Sequence, residues 1–268
     1  MQDTPAPPPF PLTDTRFGRM FTQRGDTVVG RSLHAYGEFA GDEVDSILSL
    51  VRPGDHVVDA GANIGFHTLA LARTVGPEGS VTAVEPQRFC FQLLCANLTV
   101  NQLTQVLPIR AAMGAAPGPC RIPRLSPLTA HNAGATQVLP LGQDAPEADE
   151  VAMVTLDSLA LARCDLVKID TEGFEDQVIL GGRNTLKTCR PALYVEVHDR
   201  DKLTALVGLL RPFGYTLTLH HTRFFRANNP KGRQENIFAP NAGGSALIAL
   251  PPDRNLPEGL PGTLQPIG

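Results

Sequence analysis

His56-Val-Val-Asp-Ala-Gly61-Ala-Asn-Ile-Gly65, followed by Phe66 to Val75, is the stretch on which the fold turns. A short apolar strand enters a glycine-containing turn, and the apolar residues after it recur at helical spacing. Gly61 and Gly65 permit a tight turn and a close backbone approach, and the helix behind them opens with unpaired amides. Working outward, the same alternation repeats. Residues 80–85 read as a second strand, Arg88 to Val100 as a second helix, and 106–113 as a third strand. Beyond a break come a strand at 151–156, a helix-prone 157–162, the strand Asp165-Leu-Val-Lys-Ile-Asp170 and a helix over 175–188. A strand at 192–197, a helix over 200–211 and strand-like pieces at 215–220, 236–240 and 245–250 complete the pattern. Such alternation predicts an α/β fold with a doubly wound, mostly parallel sheet covered on both faces.

The 268 residues suffice for one sizeable core. Residues 1–12 are proline-rich and read as disordered or extended, and 13–250 as a single domain. Within it, 13–50 lead into the core, with a helix near 38–50 stopped by Pro53-Gly54. Residues 114–148 hold six prolines and no clear period, so they read as a long insertion with at most short strands. A loop of that length is usually functional. The tail, 251–268, reads as irregular.

A net charge of −4 excludes an overall basic footprint for nucleic acid. No run approaches the roughly 20 apolar residues of a membrane span. The N-terminus lacks a basic start followed by an apolar run, so a cytoplasmic protein is expected. Five cysteines without a Cys-x-x-Cys pair read as reduced structural thiols rather than a disulfide framework or a zinc site.

Ligands of open α/β sheets bind beyond the carboxyl ends of the strands, so the residues there carry the functional reading. Glu85 ends the second strand, where an acid can accept hydrogen bonds from both hydroxyls of a ribose. The loop and this acid together fit either a dinucleotide or S-adenosylmethionine. Asp59 favours the latter, because a carboxylate at the loop entrance repels a pyrophosphate and can orient a cationic amino-acid group. Gly61 and Gly65 also lack the Gly-x-Gly-x-x-Gly spacing of a pyrophosphate loop.

At the other strand ends stand Asp170, Glu172, Glu196 and His198. An imidazole is a natural proton acceptor near working pH, so His198 is a candidate general base, with Glu172 the competitor if burial raises its pKa. The alternation of the strand places Glu196 and His198 on one face. These four side chains could also form an oxygen-rich metal site, but carboxylates at neighbouring strand ends occur without metal, and none is assigned. His131 and Asn132, in the insertion, are candidates for lining the acceptor pocket. His67 reads as packing.

Several of these stretches resemble the FkbM-type methyltransferases. The run Pro53-Gly-Asp-His-Val-Val-Asp-Ala-Gly-Ala-Asn-Ile-Gly-Phe-His-Thr68 is similar to the opening motif of that family. Val84-Glu-Pro86, Asn97 with Asn101, Val154-Thr-Leu-Asp157, Lys168-Ile-Asp-Thr-Glu-Gly173 and Val195-Glu-Val-His198 continue the likeness in order and spacing. The resemblance implies a class I methyltransferase (Rossmann-like) sheet of seven strands, the last antiparallel. It implies methyl transfer from S-adenosylmethionine, typically to a hydroxyl of a small-molecule or glycan acceptor such as a sugar, lipid or natural product. Asp59, Gly61, Asn63 and Gly65 match the cofactor loop and Glu85 the ribose acid. Asp170 and Glu172 match the acidic motif beside cofactor and acceptor. Tyr36-Gly37-Glu38 resembles an element that closes over the cofactor. Met113-Gly114-Ala115 lacks the acid the family often carries there, which leaves backbone groups near Ala111 and Ala112 for adenine. The rival readings are a cofactor-sensing protein without catalysis and an NAD-dependent oxidoreductase.

Overall fold

The computed structural model describes residues 9–126, 128–129, 131–139 and 147–267. Residues 1–8 of the expected tail, and 127, 130 and 140–146 of the insertion, lie outside the described residues.

The chain opens with a hairpin, β1 (Leu12–Thr15) and β2 (Gly18–Phe21), then α1 (Val29–Tyr36) and α2 (Gly41–Ser49). The repeating part follows as β3 (His56–Ala60), α3 (Phe66–Val75), β4 (Ser80–Val84), α4 (Arg88–Val100) and β5 (Val106–Ile109). In and around the insertion lie β6 (Ala112–Met113), β7 (Gly118–Pro123) and β8 (Ala148–Val154). Then come β9 (Leu166–Ile169), α5 (Glu175–Leu180), α6 (Arg183–Thr188), β10 (Ala192–Glu196) and α7 (Arg200–Leu210). The chain ends in β11 (Thr216–Arg223), β12 (Gly243–Leu250) and β13 (Thr263–Ile267).

The main sheet has the order β13-β11-β12-β10-β9-β3-β4-β5. From β5 to β10 all neighbours are parallel, and β12 enters antiparallel between β10 and β11. Seven strands and an antiparallel last one were expected. The eighth, β13, comes from the tail expected to be irregular, and pairs antiparallel with β11. Its Pro266 lies on the edge of the sheet, where a missing amide costs no ladder bond.

Alternation along the strands sorts the core into two layers. Val57, Val81, Leu166, Ala192 and Ile248 face one layer with Ile47, Leu69 and Leu94 from α2, α3 and α4. Val58, Ala60, Val167, Leu193 and Leu247 face the other with Val178, Leu186 and Leu206 from α5, α6 and α7. The central strands are buried on both faces, as parallel strands between helix layers must be.

Other boundaries depart from the sequence reading for local reasons. The strand expected over 106–113 stops at Ile109, and β6 pairs with β8 in a separate three-stranded sheet with β7. The helix over 175–188 breaks at Gly181-Gly182, where a Cβ would run into the Gly114 carbonyl or the Leu156 side chain. Asp157 caps the second half, accepting from Asn184 N at 3.0 Å and Thr185 N at 2.7 Å. Residues 236–240 form no strand. Among the described residues no helix is long and apolar enough to cross a membrane.

The lead-in hairpin is fastened through two asparagines of α4. Asn97, fully buried, donates to Phe21 O at 3.1 Å and Ile64 O at 2.8 Å and accepts from Phe21 N at 2.6 Å. Asn101 accepts from Arg19 N and donates to Arg19 O. Asn97 thereby ties the hairpin, α4 and the glycine loop together. Replacing it by alanine strands three buried backbone groups, at about 1–3 kcal/mol for an unsatisfied group. Asn97→Ala should therefore lower the unfolding free energy by about 2–4 kcal/mol in urea melts, and a loss below about 1 kcal/mol would contradict this account.

Candidate active site

Register places the site. Asp59 on β3 pairs with Lys168 on β9, which pairs with Tyr194 on β10, so the three side chains share one face of the sheet. Two residues further along that face come Glu196 on β10 and its neighbour Ala246 on β12, with Asp170 just beyond the end of β9.

Lys168 is 2% exposed in an otherwise apolar strand. Its Nζ lies 3.3 Å from Asp59 Oδ1 and 3.3 Å from Asp170 Oδ2, and donates to Gly61 O at 3.0 Å. Burial pulls the ammonium pKa down, but Asp59 and Asp170 outweigh it and hold the group well above its ordinary value. Thr68 Oγ1 donates to the other oxygen of Asp59 at 2.7 Å. The glycine loop is held from the opposite side as well, since Gly61 N and Ala62 N both donate to Val84 O. Gly61 sits at φ +81, and a Cβ there would overlap the Asp170 carbonyl. Only glycine brings the loop so close to the end of β9.

A crevice opens above this loop. At one end it is lined by Gly61, Asn63, Glu85, Pro86, Ala111 and Ala112. Glu85 accepts from Asn63 N and Gln87 N, each at 2.8 Å, one bond to each carboxylate oxygen. A carboxylate has about four acceptor directions, so two remain for hydroxyls of a bound sugar. Burial pushes the Glu85 carboxyl up to about 7, against the two amide bonds that lower it. Asn63 sits at φ +50, and its buried Oδ1 has no partner among the described residues. An orphaned acceptor beside a glycine loop and a spare-capacity carboxylate fits an adenosyl ligand well.

The other end of the crevice is acidic. Asp170, Glu172 and Glu196 line it together with Glu43 from α2, and Phe39, Phe174 and Phe224 supply apolar wall. Burial, and then Asp170, push Glu43 up to about 7. Burial, Asp170 and Glu175 do the same to Glu172. Burial, and then the charge of Asp170, drive the Glu196 carboxyl far above the ordinary range. For Asp170 burial also works upward, but Lys168 outweighs it and the pKa falls. His198 lies at the rim, with Nε2 3.1 Å from Glu196 Oε2, 3.7 Å from Glu175 Oε1 and 4.0 Å from Glu172 Oε2.

The structure redistributes several expected roles. Gly61, Asn63, Glu85, Ala112, Asp170, Glu172 and Asn132 all line the crevice. Asp59 does not, because it is completely buried under the loop and committed to Lys168 and Thr68. Gly65, at φ +93, faces Leu94 and serves the packing of α3 on α4. His131 is also outside the lining. Its backbone pairs with Gly25 O and Thr27 N, and its ring stands edge-on to Phe89. His198 is beside the crevice wall rather than in it. Tyr36 does not close over the cofactor end; its ring packs on Phe225 and Phe238, and its hydroxyl donates to Glu235 O. Glu43 and the structural part played by Lys168 escaped the sequence reading. A lysine inside the run Leu166–Ile169 was a usable signal, because a buried cation demands partners. Glu43 gave none, being one acid among several on an amphipathic lead-in helix.

Removing the charge of Lys168 leaves Asp59 buried without a counter-ion. Lys168→Met should cost about 3–5 kcal/mol of unfolding free energy, the range for breaking a buried pair from one side. A urea melt within about 1 kcal/mol of wild type would show that the ammonium does not hold the loop.

Comparison with known proteins agrees with this geometry. A family profile described as the Methyltransferase FkbM domain matches residues 59–229. A 31-O-demethyl-FK506 methyltransferase FkbM from Streptomyces tacrolimicus is 29% identical over 203 residues, covering 65% of this chain and 78% of that protein. The crystal structure of a methyltransferase FkbM from Methylobacillus flagellatus superposes with a TM-score of 0.51 at 18% identity, over 75% of this chain and 45% of the other. This chain thus spans under half of that larger one. A precorrin-6y C5,15-methyltransferase from Geobacter metallireducens superposes with a TM-score of 0.52 at 14% identity, over 79% and 87% of the two chains. The likeness to both structures is one of fold, that of the class I methyltransferases, whose methyl donor is S-adenosylmethionine. With the family profile spanning well over half of its length, the chain belongs to the FkbM methyltransferase family.

Proposed function

We propose that this protein transfers a methyl group from S-adenosylmethionine to a hydroxyl of a sugar, glycan, lipid or natural-product acceptor. The observation that carries the reading is the carboxyl of Glu172, which faces the same crevice as the cofactor loop and titrates near neutrality. When bound, the cofactor supplies a methyl group on a positively charged sulfur. Gly61, Asn63 and Ala112 would hold its adenosyl part, with Glu85 on the ribose hydroxyls. Everything else falls to the acidic end.

An alcohol is a poor nucleophile until its proton is taken as the new bond forms. Glu172 is partly ionised at neutral pH and lines the acceptor end, so it is positioned to take that proton. His198 lies 4.0 Å behind it at the exposed rim, and from there an imidazole can pass the proton to water. Asp170 takes part by fixing Lys168, and through it the loop. Phe39, Phe174 and Phe224 exclude water around the reacting groups. Asn132, from the insertion, faces the same space and is the insertion's candidate for touching the acceptor.

Glu85→Ala should weaken S-adenosylhomocysteine binding by about 1.5–3 kcal/mol, the range for hydrogen bonds to a charged group. Unchanged calorimetric affinity in a folded variant would remove Glu85 from the site. With an acceptor found by screening labelled cofactor against hydroxylated compounds, Glu172→Gln should lower turnover by about 10²–10⁴ and leave cofactor affinity nearly intact. His198→Ala should cost less, since the relay can be replaced by water; an equal or larger loss would transfer the base role to the imidazole. The sign of the pH dependence follows from the same assignment. The base works ionised, so turnover should fall as the pH drops below about 7, and a flat profile there would contradict it. Activity should also survive EDTA. Loss on chelation with recovery on adding magnesium or manganese would instead turn Glu172, Glu196 and His198, whose donor atoms lie within 4.8 Å of one another, into a metal site.

A further inference from the structure

The acidic end of the crevice carries more carboxyl groups than its fixed cation can neutralise. From α2 comes Glu43, from α3 His67, from β3 Asp59, and from β9 and its end Lys168 and Asp170. The turn into α5 and its first residue bring Glu172 and Glu175, and β10 brings Tyr194 and Glu196, with His198 beyond. Lys168 is matched by Asp59 and Asp170. His67, 3.7 Å from Glu43, is pulled down to about 4 by burial and then by Lys168, so it is neutral and offers no charge. Glu175 satisfies one oxygen with Thr171 N, Thr171 Oγ1 and Gly173 N. Among the described residues, that leaves Glu43 with no lysine or arginine beside it, and Glu172 and Glu196 with only the imidazole of His198, 4.0 and 3.1 Å away, which is no permanent counter-ion. Protons stand in for one. Carboxylate oxygens of Glu172 and Glu196 lie within 4.8 Å of one another, and two carboxyl groups that close in a partly buried crevice do not both ionise without a cation between them.

We propose that this cluster exchanges a proton for the positive charge of the cofactor: it releases one when S-adenosylmethionine binds and regains one during methyl transfer. The inference rests on the cofactor assignment alone and holds whichever acceptor receives the methyl group. S-adenosylmethionine brings one positive charge more than S-adenosylhomocysteine, on sulfur. With that charge in the crevice, a carboxyl proton is no longer needed for neutrality and dissociates. In the transfer step the S–CH₃ bond breaks with its electron pair left on sulfur, and the O–CH₃ bond forms. The proton of the acceptor hydroxyl moves to the cluster, which has just lost its counter-cation. The crevice therefore holds a similar net charge before and after the reaction. The proton produced by turnover leaves when the next cofactor binds.

The test is titration calorimetry of EDTA-treated protein at pH 7 in phosphate and in Tris, whose ionisation heats differ enough to count protons. The ligands are S-adenosylmethionine, S-adenosylhomocysteine and sinefungin, in which an amine carries the charge near that position. All three share the ribose, so any proton from Glu85 cancels in the comparison. The two cationic ligands should each release about half a proton or more beyond S-adenosylhomocysteine, as binding linked to a group titrating near the working pH requires. Glu196→Gln should reduce that difference to less than half of its wild-type value. Glu172→Gln repeats the measurement should Glu196→Gln fail to fold. Equal proton counts for the three ligands in the wild-type protein, or an undiminished difference in the folded variants, would overturn the proposal. Binding of none of them would overturn the cofactor assignment and the exchange together.

Discussion

Lys168 ties the side chains of two paired strands to the backbone of the glycine loop. Its ammonium meets Asp59 on β3, Asp170 past β9 and the carbonyl of Gly61 in the loop between them. An ion buried this deeply is expensive in isolation, and it persists only because every partner is in place. The cost has a structural return. The loop cannot drift from the end of β9 without stripping the Gly61 carbonyl of its bond from the buried ammonium, so the mouth of the crevice keeps its shape with no ligand bound. Asp59, which resembles a direct cofactor residue in sequence, acts one step behind the loop. It sets Lys168, and Lys168 sets the backbone.

The acidic end of the crevice also depends on pieces outside the repeating fold. Glu43 and Phe39 come from the lead-in, Phe224 from the end of β11, and Asn132 from the insertion. Arg226 joins two of these pieces. It forms ion pairs with Glu38, Asp42 and Asp45 of the lead-in, from the loop that follows β11. The insertion is sewn to the lead-in separately, through Thr27 N to His131 O and His131 N to Gly25 O. The sheet and its glycine loop supply one end of the crevice, whereas the wall of the acidic end also draws on three segments outside the repeating units. Such a division is expected where one fold serves many substrates.

How much of this was legible follows from what each signal depends on. The strand–glycine–helix unit, the acid of Glu85 and the α/β class rest on local spacing and on strand ends, and a sequence displays both. The failures are non-local. Whether 106–113 is one strand or two depends on β8 capturing Ala112 and Met113, and a local period carries no trace of that pairing. The break at Gly181-Gly182 is dictated by Gly114 and Leu156 pressing against it. His131 reads as a lining residue from its place in the insertion near Asn132 and Gly134. Its ring instead turned against Phe89, and the neighbouring Asn132 faced the crevice.

The tail shows the same dependence in its strongest form. Residues 251–268 read as irregular because of their prolines, yet β13 closes the edge of the sheet beside β11. Just before it, the carbonyl of Pro261 accepts from His220 Nε2 at 2.8 Å. With its proton there, the imidazole presents Nδ1 as an acceptor, and the Tyr194 hydroxyl donates to it at 2.9 Å. Tyr194 is the cross-strand neighbour of Lys168 and lines the crevice. The tail therefore fixes a tautomer, the tautomer fixes a hydroxyl, and the hydroxyl is directed away from the acidic cluster. Had Nδ1 carried the proton instead, it would donate to the Tyr194 oxygen, and the phenol proton would lose this acceptor. The proline-rich end thus helps orient a side chain of the crevice wall.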